Sequence, residues 1–354
     1  MPASAPLSIA DARPLWDPAG IYLNTASYGL PPAPGWAALQ AAQEDWRGGR
    51  TSWERWGEST EASRRAFARI VGVDPATVAV GATVSGLFGL VAASIPDGSN
   101  VVIPAVEFTS TLFPFLVQAD RGVRVRTVPA GDLAGAIDAT TDVVAFSAVQ
   151  MATGEVADLD AIEAAAREHG AMTVLDATQA CGWMPIDATR FDVVAAAAYK
   201  WLMSPRGSVL MSVKPERLAA IVPHQAGWYA GEDVHGSYFG PPLRLATDAR
   251  RLDTSPAWFA WVGTQPALEL IERIGVEAIH THDVALANRL RSGLDLQPGR
   301  SAIVMVDVPG VPDAVERLAS AGIMAAVRDG RLRTSWHVYN TTADVDRTLD
   351  VLAG

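Results

Sequence analysis

The segment from residue 172 to residue 200 reads MTVLDATQACGWMPIDATRFDVVAAAAYK. It begins with Met172–Asp176, an apolar run that ends in a carboxylate. It closes with Val193–Ala198, a run of small apolar residues that leads through Tyr199 to Lys200. Short, continuously apolar runs of this kind predict strands buried on both faces, as in a parallel sheet. Ligands of such sheets bind beyond the carboxyl ends of the strands, so Asp176 and Lys200 both fall where a site is expected.

The same pattern extends outward from this segment and predicts an α/β fold. Further apolar runs predict strands at Val78–Gly81, Asn100–Pro104, Val123–Val128, Asp142–Ala148 and Ser208–Val213. Helical patterns separate them, which predicts a mostly parallel, doubly wound sheet covered on both faces. From about Ser255 two long helical stretches precede a small α+β unit. We therefore predict a large domain over residues 21–254 and a smaller C-terminal α+β domain over 255–354. Residues 1–20 are predicted to form an arm that joins the small domain or a partner subunit.

Composition limits the classes of function that fit this chain. The 354 residues carry a net charge of −11, which argues against nucleic acid or an anionic membrane as the main partner. No apolar run approaches the roughly 18 residues of a membrane span, and residues 1–20 lack a signal-peptide pattern. The cytoplasm is therefore the expected location. The single cysteine excludes an intrachain disulfide, and the spacing of the six histidines predicts no metal site.

Lys200 and Asp176 suggest a cofactor with an aldehyde and a cationic ring. Only two lysines occur in the chain, at positions 200 and 214. Burial after the apolar strand would lower the pKa of Lys200, as a Schiff-base lysine requires, although a lysine at a strand end can also extend to water. Asp176 can pair with the pyridinium of pyridoxal 5′-phosphate (PLP) or cap a following helix. Gln179, three residues on, can reach the phenolic oxygen of that ring.

Three other segments contain candidate ligands for the same cofactor or its substrate. The loop 81–86, GATVSG, joins a strand to a helix, and its small residues with Thr83 and Ser85 suit an anion at a helix N-terminus. Phe108 follows a strand and would either stack on a flat ring or belong to the core. Arg333 suits a substrate carboxylate, or it is a surface residue of an edge strand.

The order and spacing of these motifs resemble the class V aminotransferases, a family of fold-type I PLP enzymes. The resemblance lies in LDATQACG at 175–182, PID at 185–187, FDV at 191–193, YKWL at 199–202 and PRG at 205–207. The segments YLNTA at 22–26 and RTSWHVYNT at 333–341 are similar to the two ends of the family's sequences. The family includes cysteine desulfurases, isopenicillin N epimerase-like proteins, kynureninases and several C–S lyases.

The resemblance implies a role for each matching residue. Lys200 matches the Schiff-base lysine and Asp176 the pyridinium partner, and Arg333 matches the arginine that binds the substrate carboxylate. The other implied contacts are Gln179 and Gln150 beside the phenolic oxygen, Phe108 over the ring, Ala82, Thr83 and Tyr199 at the phosphate, Thr254 at the phosphate of a partner subunit, and Asn24 near the substrate. A homodimer is thus expected.

Several positions depart from the desulfurase pattern. Phe108 stands where desulfurases have a histidine, and no cysteine lies near 321–331, where they carry their nucleophile. Ala197 replaces a common serine phosphate ligand, and Ser204 replaces a glycine. Cysteine desulfurase is therefore disfavoured. The sequence predicts a PLP-dependent enzyme that acts on a small amino substrate by transamination or by β-elimination with C–S cleavage. An epimerase-like racemase, or a catalytically silent binding module, are the alternatives.

Overall fold

A computed structural model describes residues 5–353 and confirms the predicted α/β class with a mostly parallel central sheet. The twelve strands are β1 Ile21–Tyr22, β2 Val78–Gly81, β3 Asn100–Pro104, β4 Arg124–Val128, β5 Val143–Ser147, β6 Met172–Asp176, β7 Val193–Ala197, β8 Val209–Val213, β9 Ile303–Val306, β10 Ile323–Met324, β11 Ala326–Arg328 and β12 Arg331–Ser335. The α-helices are α1 Ile9–Ala12, α2 Ala33–Arg47, α3 Trp53–Val71, α4 Val84–Ser94, α5 Thr109–Leu116, α6 Leu159–His169, α7 Pro215–Leu218, α8 Trp258–Ile274, α9 Val276–Gly293, α10 Val311–Ser320 and α11 Thr342–Ala353.

Seven strands form the central sheet, in the order β2-β8-β7-β6-β5-β3-β4. All neighbouring pairs are parallel except those of β8, which runs antiparallel to β2 and β7. Every residue of β5, β7 and β8 is buried, because helices cover both faces of the sheet. Because these strands are buried on both faces, their sequences are continuous apolar runs rather than alternating apolar and polar residues.

The register of β5, β6 and β7 brings their carboxyl ends to one edge of the sheet. Ser147 at the end of β5 pairs with Asp176 at the end of β6, and Asp176 pairs with Ala195 on β7. The residues that follow these strands therefore surround one crevice. Lys200 lies three residues beyond the end of β7, at this crevice.

A second, three-stranded antiparallel sheet, in the order β11-β12-β9, lies in the C-terminal part of the chain. It packs with α9, α10 and α11 around a hydrophobic cluster of its own, which includes Leu332 and Trp336. Leu23 from the N-terminal part joins this cluster, and β1 pairs in parallel with β10 through Ile21 and Ile323. In contrast, α8 packs against α2 and α3. The division at residues 254 and 255 stays a prediction.

The described part of the N-terminal arm packs on its own chain. The amide of Leu7 donates to the carbonyl oxygen of Arg273 at 2.9 Å, and the ring of Trp16 makes an edge contact with Tyr339. Residues 1–4 lie outside the described residues. Among residues 5–353, no helix combines the length and the apolar character needed to cross a lipid bilayer.

Helices α2 and α5 were not expected from periodicity. Helix α2 buries only Gly35 and Ala42 over its length, so it shows no apolar stripe of the helical period. Helix α5 is eight residues long and has Pro114 inside it, which a sequence pattern would place at a helix end. Neither helix therefore follows from the local sequence pattern.

Candidate active site

A cavity opens at the carboxyl ends of β5, β6 and β7. Seven of the eleven residues to which the resemblance gives a role line it together: Ala82, Thr83, Phe108, Asp176, Gln179, Tyr199 and Lys200. Ser85, Ser110, Ser147, Met151, Thr178 and Arg206 lie among the other lining residues. Segments separated by more than a hundred residues thus meet at the sheet edge where ligands of parallel sheets bind.

Lys200 presents a buried amine to this cavity. Its side chain is 7% exposed, so it does not extend into bulk water. Burial lowers the pKa of Lys200 to about 8, and nearby Arg333 and Arg206 lower it further, whereas the carboxylate of Asp176 opposes the shift. The amine lies 5.6 Å from the ring centroid of Phe108. The lowered pKa makes the neutral amine far more abundant near neutral pH than in an ordinary lysine, and only the neutral form attacks a carbonyl carbon.

Asp176 is fixed in orientation by two donors. The hydroxyl of Thr111 donates to Oδ2 at 3.1 Å, and the backbone amide of Thr178 donates to Oδ1 at 2.8 Å. The chain continues from Asp176 in turns, so the carboxylate caps no regular helix. Each oxygen retains lone pairs beyond these bonds, and the residue lines the cavity. The carboxylate can therefore accept a hydrogen bond from a cationic ring nitrogen.

The N-terminus of α4 forms the second polar wall. Thr83 is the N-cap residue, and its hydroxyl accepts from the amide of Gly86 at 3.1 Å. Ala82, Thr83 and Ser85 are exposed and line the cavity. The free amides and the positive dipole end of an eleven-residue helix favour an anion at this position. This wall suits the phosphate of a cofactor.

Phe108 and Tyr199 supply the aromatic surface of the cavity. Phe108 is 40% exposed, so it is no core residue. Tyr199 is half-buried, and the guanidinium of Arg206 lies 5.0 Å from its ring centroid. Arg206 also donates to the hydroxyl of Tyr28 at 3.1 Å. Arg206 was missed in the sequence, where the motif PRG gave its position but no reason to assign a role to its side chain.

Gln179 lines the cavity in a single orientation. Its Nε2 donates to the carbonyl oxygen of Ala26 at 2.9 Å, and its Oε1 accepts from the indole of Trp201 at 2.8 Å. The second proton on Nε2 stays available. Gln179 can therefore donate to a ring oxygen without rearrangement of its neighbours.

Gln150 points away from this cavity, towards a buried glutamate. Its Nε2 donates to Glu107 at 2.9 Å, and it lines a neighbouring cavity. Glu107 also accepts from the amides of Ser147 at 2.8 Å and Phe108 at 2.9 Å and from the hydroxyl of Ser147. Burial raises the pKa of Glu107, while these donors oppose the shift. Glu107 was missed in the sequence, although an acidic residue directly before Phe108 was the available signal.

Arg333 is buried beside Asn24 and faces the cavity wall. It is 1% exposed and lies on β12, the middle strand of its sheet, so the edge-strand alternative does not apply. Its Nη2 donates to Ser27 Oγ at 2.7 Å and to Asn24 Oδ1 at 3.3 Å. Its Nη1 donates to the carbonyl oxygen of Met151, a lining residue, at 3.1 Å. Asn24 and Arg333 thus lie together next to the cavity.

Thr254 does not line the cavity of its own chain within the described residues. It is half-buried and follows Asp253, which accepts from Arg64 at 2.6 Å and from the amide of Val80 at 2.7 Å. These bonds fix the position of Asp253. Thr254 is the next residue and begins the segment that leads to α8. The expected contact with a partner's phosphate stays a prediction.

The residues of the cavity fit PLP. The buried Lys200 amine would bind its aldehyde carbon, Asp176 its ring nitrogen, and the α4 N-terminus its phosphate. Phe108 offers a flat apolar face for the ring. The fit depends on three polar groups that line the same cavity: the Lys200 amine, the Asp176 carboxylate and the N-terminus of α4.

Comparison with known proteins gives the same assignment. The family model "Aminotransferase class-V" matches residues 42–309. The uncharacterized aminotransferase YcbU of Bacillus subtilis (strain 168) is 27% identical, with 86% of this chain and 85% of that protein covered. Isopenicillin N epimerase of Streptomyces clavuligerus is 28% identical, with 97% and 96% covered.

A solved structure shares the fold. The cystine C–S lyase C-DES, in complex with its reaction product cysteine persulfide, superposes with a TM-score of 0.85 at 22% identity, and the match covers 95% of this chain and 97% of that one. The family model spans most of the chain and the fold agrees over nearly all of it. The chain therefore belongs to the class-V aminotransferase family and is a PLP-dependent enzyme.

Proposed function

We propose that this enzyme transaminates an α-amino acid, with Lys200 as the group that moves the proton at the α-carbon. The observation that supports this most directly is the buried Lys200 amine, which faces the cavity with a pKa lowered to about 8. When bound, PLP supplies an electron sink that makes the α-proton acidic. Lys200 then takes this proton and returns it to a neighbouring carbon, for which one base on one face is sufficient.

The binding groups around Lys200 support an amino acid as the substrate. Arg333 has two N–H protons left for an α-carboxylate, one on Nε, which has no hydrogen-bond partner within residues 5–353, and one on Nη1, which otherwise donates only to Met151. Asn24 orients this guanidinium through its side-chain oxygen. Burial and neighbouring Arg328 lower the pKa of Arg333 to about 10, so it stays charged at neutral pH. Asp176 would keep the ring nitrogen of bound PLP protonated, which would strengthen the electron sink that the cofactor supplies.

Desulfurase chemistry fits the chain less well. The only cysteine of this chain, Cys181, is buried, and burial raises the pKa of its thiol to about 12. A thiol in this state is a poor nucleophile. Phe108 stands where an acid/base histidine would lie, so a departing thiolate has no imidazole donor at that position. These features favour transamination over C–S cleavage.

Single-turnover experiments distinguish the reactions. The loaded enzyme is mixed with amino acids and S-substituted cysteines without a keto-acid acceptor, and keto acid, thiol and the aminated cofactor are measured separately. Transamination yields keto acid and aminated cofactor in equal amounts. Pyruvate and thiol without aminated cofactor would establish β-elimination, and inversion of the α-carbon alone would establish epimerisation.

Two lysine variants provide the controls. Lys200→Ala is expected to abolish turnover, whereas Lys214→Ala should leave it unchanged, because Lys214 lies beside Asp192 and Arg190 away from the cavity. Failure of every amino acid tested, despite bound cofactor, would favour the silent binding module.

A further inference from the structure

Four cationic side chains near the cavity form no ion pair within the described part of the chain, although the carboxylate of Asp176 lies close enough to Lys200 to affect its pKa. Lys200, Arg206, Arg328 and Arg333 take part in none of the ion pairs formed between residues 5 and 353. The chain as a whole has a net charge of −11. The three arginines have no carboxylate partner among the described residues, and their presence at one place in an acidic protein favours a ligand with several negative charges.

Arg328 and Arg333 project from the same face of one hairpin. In the antiparallel pair β11–β12, Ala326 lies opposite Arg333 and Arg328 lies opposite Arg331. Arg328 is two residues beyond Ala326, so it is the diagonal neighbour of Arg333 on that face. Both guanidiniums reach Ser27, with Nη2 of Arg328 at 3.1 Å and Nη2 of Arg333 at 2.7 Å from its Oγ.

This group has donors in excess of acceptors. Ser27 Oγ accepts from both arginines, which uses its lone pairs and leaves its own proton free to donate. Nε of Arg333 is buried and has no hydrogen-bond partner, in a side chain that is 1% exposed. Buried donors without acceptors are costly, so an anionic ligand would complete their hydrogen bonds.

The arginine pair adjoins the cavity. Arg333 donates to the carbonyl oxygen of Met151, which lines the cavity beside Lys200. Both Arg328 and Arg333 are close enough to lower the pKa of Lys200. A single α-carboxylate at Arg333 would leave Arg328 without a counter-charge.

We propose that Arg328 and Ser27 form a second carboxylate subsite beside Arg333, which selects amino acids with an acidic side chain as substrates. The α-carboxylate binds Arg333, and the side-chain carboxylate binds Arg328 and the Ser27 hydroxyl. The planar guanidinium suits a carboxylate because two parallel hydrogen bonds form at once. This inference rests on the proposed function, since it assigns the substrate of the same site.

The test compares glutamate with norvaline, which has a similar chain without the second carboxylate. Arg328→Gln removes the charge, and Arg331→Gln on the same hairpin serves as control because Arg331 pairs with Asp307 at the surface. We expect Arg328→Gln to lower the ratio of kcat/KM for glutamate over norvaline by roughly 10- to 150-fold, as for a hydrogen bond to a charged group. Arg331→Gln should leave the ratio unchanged.

A binding measurement separates failure of the subsite from failure of the proposed reaction. Calorimetry of the loaded enzyme with glutarate and butyrate needs no turnover. Tighter binding of glutarate that Arg328→Gln abolishes supports the subsite even if no amino acid reacts. Equal affinity for the two acids, or an equal loss for both substrates in Arg328→Gln, would overturn the proposal.

Discussion

Nδ1 of His337 lies 2.8 Å from Oδ2 of Asp283, and neither side chain is exposed to solvent. On the other side of the ring, Nε2 lies 3.0 Å from the carbonyl oxygen of Trp201, the residue after Lys200. A carbonyl oxygen only accepts, so Nε2 carries a proton. The 2.8 Å contact between Nδ1 and Oδ2 is a second hydrogen bond of the same ring. Through these two hydrogen bonds, His337 connects the segment after β7, which contains Lys200 and Trp201, to the C-terminal part of the chain.

Replacing one member of this pair is expected to cost more than replacing both. His337→Leu leaves Asp283 buried without its partner, so the free energy of unfolding should fall by about 3–5 kcal/mol. In the double variant with Asp283→Leu the loss should be smaller than the sum of the single losses. Urea unfolding in a double-mutant cycle measures the coupling. Strictly additive losses would contradict a coupled pair.

Lys200→Met should stabilise the cofactor-free protein at pH 7. Because burial lowers the pKa of Lys200 from 10.5 to about 8, the charged amine costs the folded state about 3 kcal/mol below pH 8. Between pH 8 and 10.5 only the unfolded chain keeps this proton, so the stability of the native protein rises with pH. The advantage of the variant should shrink over the same range. Urea unfolding at several pH values measures it, and an advantage that grows with pH would refute the expectation.

The two lysines allow a direct titration of the catalytic candidate. Trace acetylation of the cofactor-free protein, followed by mass spectrometry, reports Lys200 and Lys214 on separate peptides. We expect the labelling of Lys200 to have its midpoint near pH 8. Asp176→Asn should move this midpoint lower, because the carboxylate favours the charged amine, and should not affect Lys214. A midpoint of Lys200 near 10.5 would show an unperturbed amine.

Removing one partner of the buried ion pair before Thr254 is expected to destabilise the fold strongly. Arg64 and Asp253 have side chains that are 3% and 0% exposed, with Nη2 and Oδ2 2.6 Å apart. Arg64→Met should lower the free energy of unfolding by about 3–5 kcal/mol, since it leaves a buried carboxylate unpaired. Adding Asp253→Asn should restore part of the lost stability, because the side-chain amide oxygen of Asn can still accept from the backbone amide of Val80 and carries no unpaired charge.

An exposed pair supplies the matched control for that measurement. Arg47 and Glu44 are 79% and 60% exposed, so Arg47→Met should change the free energy of unfolding by at most about 1 kcal/mol. Similar losses of the free energy of unfolding in Arg64→Met and Arg47→Met would contradict the expected effect of burial on the Arg64–Asp253 pair.

Much of the fold and several cavity residues follow from local patterns in the sequence. Met172–Asp176 and Val193–Ala197 are continuous apolar runs, and such runs form buried parallel strands whose carboxyl ends share one edge. Asp176 and Lys200 follow those ends, so a pattern of a few residues was enough to predict that they lie close together. Family resemblance added Asn24 and assigned it to the same site as Arg333, although no local pattern connects the two residues.

Only the tertiary structure decided which way the remaining side chains face. Gln150 turns to Glu107, and Arg328 lies beside Arg333 through the register of a hairpin that begins at Ala326, far from Ser27 in the sequence. Strand formation depends on burial of neighbouring residues, which the sequence shows. Contacts between distant segments depend on register and on competition among donors and acceptors, and these are settled only when the whole chain packs.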